Sequence, residues 1–276
     1  MRPSAALRPA GRTVTDPLRS NFCYPDGTVS ELTGKTAICV GASRGFGRGV
    51  AEAFLSAGAT VIAVARDTSP LHELSERGQS IYLEAGDASD PIVAGTLLER
   101  HQPGVLALIA GATPLLRPLH HQTWETFSIN WNTDVRMTFH WLREALLLPL
   151  RPGSRVIVMS SGAALNGSPL SGGYAGAKAT QRFIAEYAAQ ESARAGLGIR
   201  VTAVLPRLTA ATDLGRPAVE AYAARAGISR EQYLTQMGDP VTPQIAGEAF
   251  LQLAAGDPNL EDGAYMLTGA GLQRLS

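Results

Sequence analysis

The sequence has little cysteine, little lysine and no excess of either charge. Its 276 residues include only Cys23 and Cys39, too few cysteines for a disulfide framework. The 24 basic residues balance 24 acidic ones, whereas a nucleic-acid-binding protein carries a basic excess or a basic face. No apolar run approaches the roughly 18 residues of a membrane-spanning helix, and the start, MRPSAALRPAGR, lacks the apolar core of a secretory signal. These absences predict a cytoplasmic protein with neither nucleic-acid nor membrane partners.

Hydrophobic patterning divides the chain near residue 33. Residues 1–33 carry arginines and scattered prolines without a hydrophobic period, which predicts a flexible N-terminal arm or an arm that packs on a neighbouring subunit. An organelle transit peptide fits these residues less well. Apolar residues make up 45 % of the whole chain, so residues 34–276 can build a full core.

From Thr36 onward, short apolar runs alternate with segments of helical spacing. Strands separated by helices of about a dozen residues need crossover connections, and these produce a parallel sheet with helices on both faces. The sequence therefore predicts an α/β fold: a single doubly wound Rossmann-type domain with a parallel sheet of about seven strands. The predicted strands are 36–42, 60–65, 80–85, 105–111, 154–161, 199–206 and 263–269, and the predicted helices are 48–59, 69–77, 90–101, 132–148, 174–195 and 243–255.

A glycine-rich turn, Gly41-Ala-Ser43-Arg44-Gly45-Phe46-Gly47, joins the first strand to the first helix. Its position favours a dinucleotide site, because the N–H groups of a helix N-terminus suit a pyrophosphate. A tight turn without a ligand is the plainer alternative. The same residues match the Gly-x-Ser-x-Gly elbow of α/β-hydrolases, but the last 136 residues contain no histidine to complete a triad.

The second predicted strand ends at Ala65-Arg66, where dinucleotide folds recognise the ribose. A carboxylate at that point favours NAD, and an arginine accommodates the 2′-phosphate of NADP. Arg66 and Arg44 in the glycine turn therefore predict NADP(H) over NAD(H), and Asp67 then begins the next loop. The alternative is that both arginines are ordinary surface charges.

Tyr174 and Lys178 stand four residues apart on a predicted helix, so their side chains share one face. With only two lysines in the chain, this spacing is hard to attribute to chance. A free phenol ionises near pH 10, and an adjacent cation favours the phenolate, so the pair suits proton transfer. Ser161 ends a predicted strand 13 residues earlier, at the sheet edge where open α/β folds bind ligands. The residues expected to meet at this edge, because each falls at a strand end, are Gly41, Arg66, Gly111, Ser161 and Pro206.

These motifs together resemble those of the short-chain dehydrogenase/reductase family in its compact form, over about Leu32 to Leu272. The resemblance implies an enzyme acting on CH–OH or C=O groups, with Tyr174 as general acid in carbonyl reduction. Lys178 would favour the phenolate and bond the nicotinamide ribose, Ser161 would hold the substrate oxygen, and Asp87 would bond the adenine. The implied cofactor-binding residues are Gly41, Ser43, Arg44, Gly45, Phe46, Gly47, Arg66, Asp87, Ala110, Gly111, Tyr174, Lys178 and Pro206.

The chain departs from the family pattern after the fourth strand. The usual Asn-Asn-Ala-Gly is Leu108-Ile-Ala-Gly111, so support for that strand must come from elsewhere. The family's catalytic asparagine is either Asn130 or Asn132, and ungapped spacing from Ser161 favours Asn132. A non-catalytic nucleotide-binding or regulatory protein on the same fold is the alternative function.

Substrate and assembly are less determined by the sequence. Residues 162–173 and 207–240 are expected to shape a site for a small, mainly apolar carbonyl or alcohol substrate. His120 and His121 lack metal-ligand spacing, so no metal is assigned. The resemblance implies a homotetramer or homodimer through the long helices at 132–148 and 174–195.

Overall fold

A computed structural model of the chain describes residues 32–76 and 80–275. The predicted arm at residues 1–33 therefore lies outside the described residues, apart from Leu32 and Thr33. Leu32 is fully buried, and its N–H donates to the carbonyl of Ala57 at 2.9 Å. The core of the domain thus includes Leu32.

One eight-stranded sheet forms the centre of the described residues. Its strands are β1 (Thr36–Val40), β2 (Thr60–Ala65), β3 (Ile81–Ala85), β4 (Val105–Leu108), β5 (Arg155–Met159), β6 (Arg200–Pro206), β7 (Ala264–Thr268) and β8 (Gly271–Arg274). The spatial order is β3-β2-β1-β4-β5-β6-β7-β8, and every neighbouring pair is parallel except β7 and β8. The order reverses between β1 and β4, which opens a crevice beyond the carboxyl ends of these strands. The predicted doubly wound α/β fold is confirmed.

Helices cover both faces of the sheet because its central strands are apolar on both sides. In β1, Ala37 and Cys39 join one buried cluster, and Ile38 and Val40 join the other. The helices are α1 (Gly45–Ser56), α2 (His72–Glu76), α3 (Pro91–His101), α4 (Trp124–Phe127), α5 (Arg136–Leu147), α6 (Ala163–Asn166), α7 (Gly172–Arg194), α8 (Gly215–Ala226), α9 (Arg230–Met237) and α10 (Pro243–Ala255). Residues of α1 and α10 belong to the first cluster, and residues of α3, α5 and α7 belong to the second.

The structure adds elements that hydrophobic periodicity did not predict. Strand β8 turns back antiparallel on β7 through Gly271, whose φ of +99° lies in a region that favours glycine. Its Gln273 and Arg274 are exposed, so no apolar run marks this strand. The predicted helix at 132–148 begins instead as a π-helical segment, Trp131–Val135, which continues into α5.

The described residues contain neither a membrane-spanning helix nor a cluster of metal ligands. None of their helices has both the length and the hydropathy needed to cross a bilayer. Nowhere among them do three or more His, Cys, Asp or Glu side chains gather in a way that would hold a metal ion.

Candidate functional site

A cleft of about 1040 Å³ opens at the carboxyl edge of the parallel strands. Its walls are the segments that follow β1, β2, β3, β4, β5 and β6, together with the start of α7 and part of the lid formed by residues 207–240. Every site residue predicted from the sequence lines this cleft except the two candidate asparagines, Asn130 and Asn132. The fold thus brings residues that are far apart in the sequence, such as Gly41 and Pro206, into one site.

The glycine turn after β1 leaves space where side chains would collide. A Cβ at Gly41 would lie 2.6 Å from the backbone of Ala110, and a Cβ at Gly47 would overlap the carbonyl oxygen of Gly41. Gly41 and Gly45 also have positive φ angles, +93° and +54°. Helix α1 starts within this turn, and no side chain of the described residues caps its first N–H groups. These N–H groups and the partial positive charge of the helix N-terminus can bind an anion such as a phosphate.

Two arginines line the far end of the cleft. Arg44 and Arg66 are both exposed, and within the described residues neither forms a salt bridge. The Asp67 carboxylate instead accepts the N–H of Ser69 at 2.9 Å, and hydrogen bonds from Ser69 hold its pKa below the usual value. Asp67 is therefore tied to its own loop, which leaves both guanidinium groups available to an anion.

Asp87 follows β3 at the same end of the cleft. Its carboxylate accepts the backbone N–H and the hydroxyl of Ser89, both at 2.9 Å. These bonds lower the pKa of Asp87, with a smaller contribution from the charge of Arg66. The site therefore presents an ionised acceptor near Arg66 at neutral pH.

Tyr174 and Lys178 lie one turn apart near the start of α7. Tyr174 is half-buried and Lys178 is buried, and the Lys178 ammonium lies 5.5 Å from the centre of the Tyr174 ring. The Lys178 Nζ atom lies 3.1 Å from Asp134 Oδ2 and 3.4 Å from the carbonyl oxygen of Met159. The lysine is therefore held between the tyrosine and a buried carboxylate.

The end of β5 brings Ser161 to the same place. The Ser160 hydroxyl donates to the carbonyl of Lys178 at 2.7 Å, which fastens the strand to α7. Ser161 is half-buried in the wall of the cleft, and its hydroxyl oxygen accepts the N–H of Ala163 at 3.2 Å. A hydroxyl, a phenol and an ammonium group thus converge, as proton transfer to a bound oxygen requires.

The two asparagines considered for the site point in different directions. Asn132 is exposed, and its side chain donates to the Ser128 hydroxyl at 3.2 Å, away from the cleft. Asn130 is buried and donates to the carbonyl of Ala112 at 2.7 Å. The structure does not bring Asn132 to the cleft, because the helix turns its side chain outward.

Asp134, two residues after Asn132, has its carboxylate beside Lys178. Its Oδ1 atom accepts the N–H of Ala112 at 2.8 Å, so Asn130 and Asp134 together hold the segment after β4. They supply the support that the replaced Asn-Asn pair does not. A sequence signal for Asp134 exists: it shares a helical stripe with Met137 and Trp141, and a carboxylate on a buried stripe needs a charged or hydrogen-bonding partner.

Residues of the lid line the other end of the cleft. The Tyr222 hydroxyl of α8 hydrogen-bonds to Ser168, and it lies 3.4 Å from the Ser171 hydroxyl. Arg207 is exposed at the rim of the cleft. The cleft is also lined here by the apolar side chains of Leu116, Leu208, Leu214, Met237 and Met266, and by the polar side chains of Asn166, Thr209, Thr212, Asp213 and Tyr233.

The chain is similar to several known proteins. The family model described as short chain dehydrogenase matches residues 35–223. A short chain dehydrogenase of Pseudocercospora fijiensis is 33 % identical over 206 residues, which cover 70 % of this chain and 65 % of the relative, slightly under two thirds of its length. A hydroxynaphthalene reductase-like protein of Metarhizium majus is 26 % identical over 266 residues, covering 88 % of this chain and 97 % of the relative.

A solved structure shares the fold as well. The 3-oxoacyl (acyl-carrier-protein) reductase of Agrobacterium tumefaciens, crystallised with NADP bound, superposes with a TM-score of 0.73 at 25 % identity. The superposition covers 87 % of this chain and 95 % of that one.

Proposed function

The chain belongs to the short-chain dehydrogenase/reductase family, and on that premise we propose that it is an NADP(H)-dependent oxidoreductase acting on a ketone or secondary alcohol. The observation that carries the proposal is the convergence of Ser161, Tyr174 and Lys178 in the cleft that also contains the glycine turn. The proton-transfer groups and the nucleotide-binding groups thus share one space.

The residues present fit a nicotinamide dinucleotide. The space above Gly41 and Gly47, which a Cβ would fill, together with the first N–H groups of α1, suits a pyrophosphate. Arg44 and Arg66 suit a 2′-phosphate, because a guanidinium fork matches phosphate oxygens. The adenine would lie beside Asp87. Backbone of the segments after β4 and β6, at Ala110, Gly111 and Pro206, would border the nicotinamide half.

The protein's own contribution is position and a proton. When bound, the cofactor supplies or accepts the hydride. In the reductive direction, the Ser161 hydroxyl holds the carbonyl oxygen of the substrate, and the Tyr174 hydroxyl donates a proton to that oxygen. Lys178 places a cation beside the phenolate that remains and would bond the nicotinamide ribose of a bound cofactor. In the oxidative direction the same phenolate accepts the proton of the alcohol.

The substrate that best suits the lid end is a compact, mainly apolar ketone or its alcohol. Leucine and methionine side chains contribute the apolar part of that surface, and Asn166, Thr212 and the Tyr222 hydroxyl supply polar points for an oxygen-bearing substrate. The Metarhizium relative is described as hydroxynaphthalene reductase-like. Bicyclic aromatic ketones therefore join simple ketones and quinones as substrates to test.

The direct test is consumption of NADPH and of NADH by the purified chain over a panel of ketones and quinones. We expect NADPH-dependent reduction of at least one apolar ketone, detected by loss of the absorbance of the reduced nicotinamide. Charged ketones should be poorer substrates than apolar ones of similar size. Tight binding of NADPH without turnover of any compound would instead support a nucleotide-binding or regulatory protein.

We also propose a homodimer or homotetramer built on α5 and α7. These helices expose Phe139, Phe183 and Tyr187, which are 49 %, 64 % and 55 % accessible, and the last two stack with ring centres 6.2 Å apart. Exposed aromatic clusters of this kind mark contact surfaces. The proposed compartment is the cytoplasm, in keeping with a free and buried thiol at Cys39.

The assembly is tested by placing a charge in that surface. Phe183→Glu is expected to convert the oligomer to a smaller species in light scattering, because a carboxylate cannot be buried unpaired at a subunit contact. Ile92→Glu on α3 is the matched control, since Ile92 is also exposed, at 73 %, but lies on another helix. An unchanged mass for Phe183→Glu would overturn the assignment of this surface.

A further inference from the structure

Asp134 and Lys178 form a buried ion pair at the floor of the cleft. The Nζ to Oδ2 distance is 3.1 Å, and the two side chains are 5 % and 0 % exposed. A charge placed this deeply is stable only with a well-formed partner, and removing one member leaves the other uncompensated. Each of the two charges therefore needs the other to be stable at this buried position.

The backbone holds the carboxylate in place. Asp134 Oδ1 accepts the N–H of Ala112 at 2.8 Å, and the Asn130 amide lies 3.3 Å from Oδ2. A Cβ at Gly111 would come within 2.8 Å of Oδ2, so the absence of a side chain there makes room for the carboxylate. Asp134 is itself part of the π-helical segment, a departure from regular helix that is frequent at functional sites.

We propose that Asp134 is a positioning residue: the fixed counter-ion of Lys178, which orients the ammonium and sets the charge felt by the Tyr174 phenol. The inference rests on the proposed function of Tyr174 and Lys178. A lysine alone would strongly favour the phenolate, whereas an ion pair favours it less because its two charges partly cancel. Loss of the Asp134 charge would leave the Lys178 ammonium uncompensated beside the phenol.

The charged and titratable groups around Lys178 both stabilise its ammonium form. Burial by itself lowers the pKa of Lys178, but the charge of Asp134, that of Tyr174 and the hydrogen bond to Asp134 outweigh it, so the pKa is raised. The charged or titratable groups that act on Lys178 are Asp134, from the π-helical segment, and Tyr174, from α7. From β5 it meets only the Met159 carbonyl. Removing the negative charge should therefore make both the phenol and the ammonium release their protons at lower pH.

The test is a spectrophotometric titration of tyrosine in the chain without cofactor or substrate. Each protein is compared with its own Tyr174→Phe counterpart, so the difference in phenolate absorbance reports Tyr174 alone. In Asp134→Asn, Tyr174 should ionise at a pH lower than in the wild type by on the order of one unit. Asp134→Glu retains the charge and should keep the wild-type midpoint. Asp262→Asn removes an exposed carboxylate that precedes β7 and should leave the midpoint unchanged.

Activity provides a second readout. In Asp134→Asn the pH at which carbonyl reduction declines should fall by the same amount, whereas a purely structural role would lower the rate equally at every pH. An unshifted Tyr174 midpoint in folded Asp134→Asn would overturn the proposal. If Asp134→Asn fails to fold, a shifted Tyr174 midpoint in Asp134→Glu would overturn the proposal. Absence of turnover in the wild type would contradict the proposed function. The tyrosine titration would still test the role of Asp134, because it needs neither cofactor nor substrate.

Discussion

Tyr174→Phe is expected to lower ketone reduction by about 10³-fold while leaving the affinity for NADPH within a few-fold of the wild type. The substitution removes one oxygen from a half-buried side chain and leaves the ring beside Lys178. A positioned general acid contributes about 10² to 10⁴ in rate, so losing the donor should cost an effect in that range. Turnover by NADPH oxidation and binding by nicotinamide fluorescence measure the two quantities separately.

Tyr82→Phe is the matched control for this experiment. It removes the same atom, but Tyr82 lies on β3, is 60 % exposed and does not line the cleft. Its activity should equal that of the wild type. Substantial turnover by Tyr174→Phe would show that another group donates the proton, and it would contradict the proposed mechanism even if NADPH-dependent activity is real.

Local patterns predicted the parts of this protein that depend on neighbouring residues in the chain. The apolar runs and helical periods identified the order of strands and helices, and the strand-end rule predicted that Gly41, Arg66, Ser161 and Pro206 would meet. They do line one cleft, because parallel strands point their carboxyl ends to the same edge. Tyr174 and Lys178 were predicted to share a face, since helical spacing alone determines it.

Contacts between distant segments could not be predicted in the same way. Ungapped counting from Ser161 favoured Asn132, but the π-helical segment changes which side chains face the sheet, and Asp134 occupies the place beside Lys178. Strand β8 was missed because its pairing depends on a hairpin at Gly271 and not on an apolar run. Residues 162–173 and 207–240 were expected to shape the substrate site, but no local pattern predicted the bond between Tyr222 and Ser168, which joins residues 54 positions apart.

The altered segment after β4 shows how one departure is compensated by another. Leu108 and Ile109 stand where the resembling family has asparagines, so that strand end has no side-chain amides of its own. Asn130 and Asp134 reach the segment from the following helix and bond to both backbone groups of Ala112. The polar support therefore moves from the strand to the helix, and the carboxylate that provides it also meets Lys178.

Arg66→Ser is expected to lower kcat/KM for NADPH by about 10- to 100-fold while changing that for NADH less than about threefold. A charge-assisted hydrogen bond contributes about 1.5–3 kcal/mol, and the exposure of Arg66 places the effect toward the lower end. The loss is confined to NADPH because only that cofactor carries the 2′-phosphate. Steady-state kinetics with both cofactors measure the change in preference.

Arg151→Ser is the control, because Arg151 is exposed just before β5, at the opposite edge of the sheet. It should alter neither cofactor's kcat/KM, which excludes a general effect of lost positive charge. Adding salt should weaken the wild-type preference for NADPH more than that of Arg66→Ser, since a bond between exposed charges is screened. Arg44→Ser should act in the same direction, because both guanidinium groups line the same end of the cleft. A double variant that still prefers NADPH would place the recognition of the 2′-phosphate elsewhere, and a wild type that prefers NADH would overturn the cofactor assignment itself.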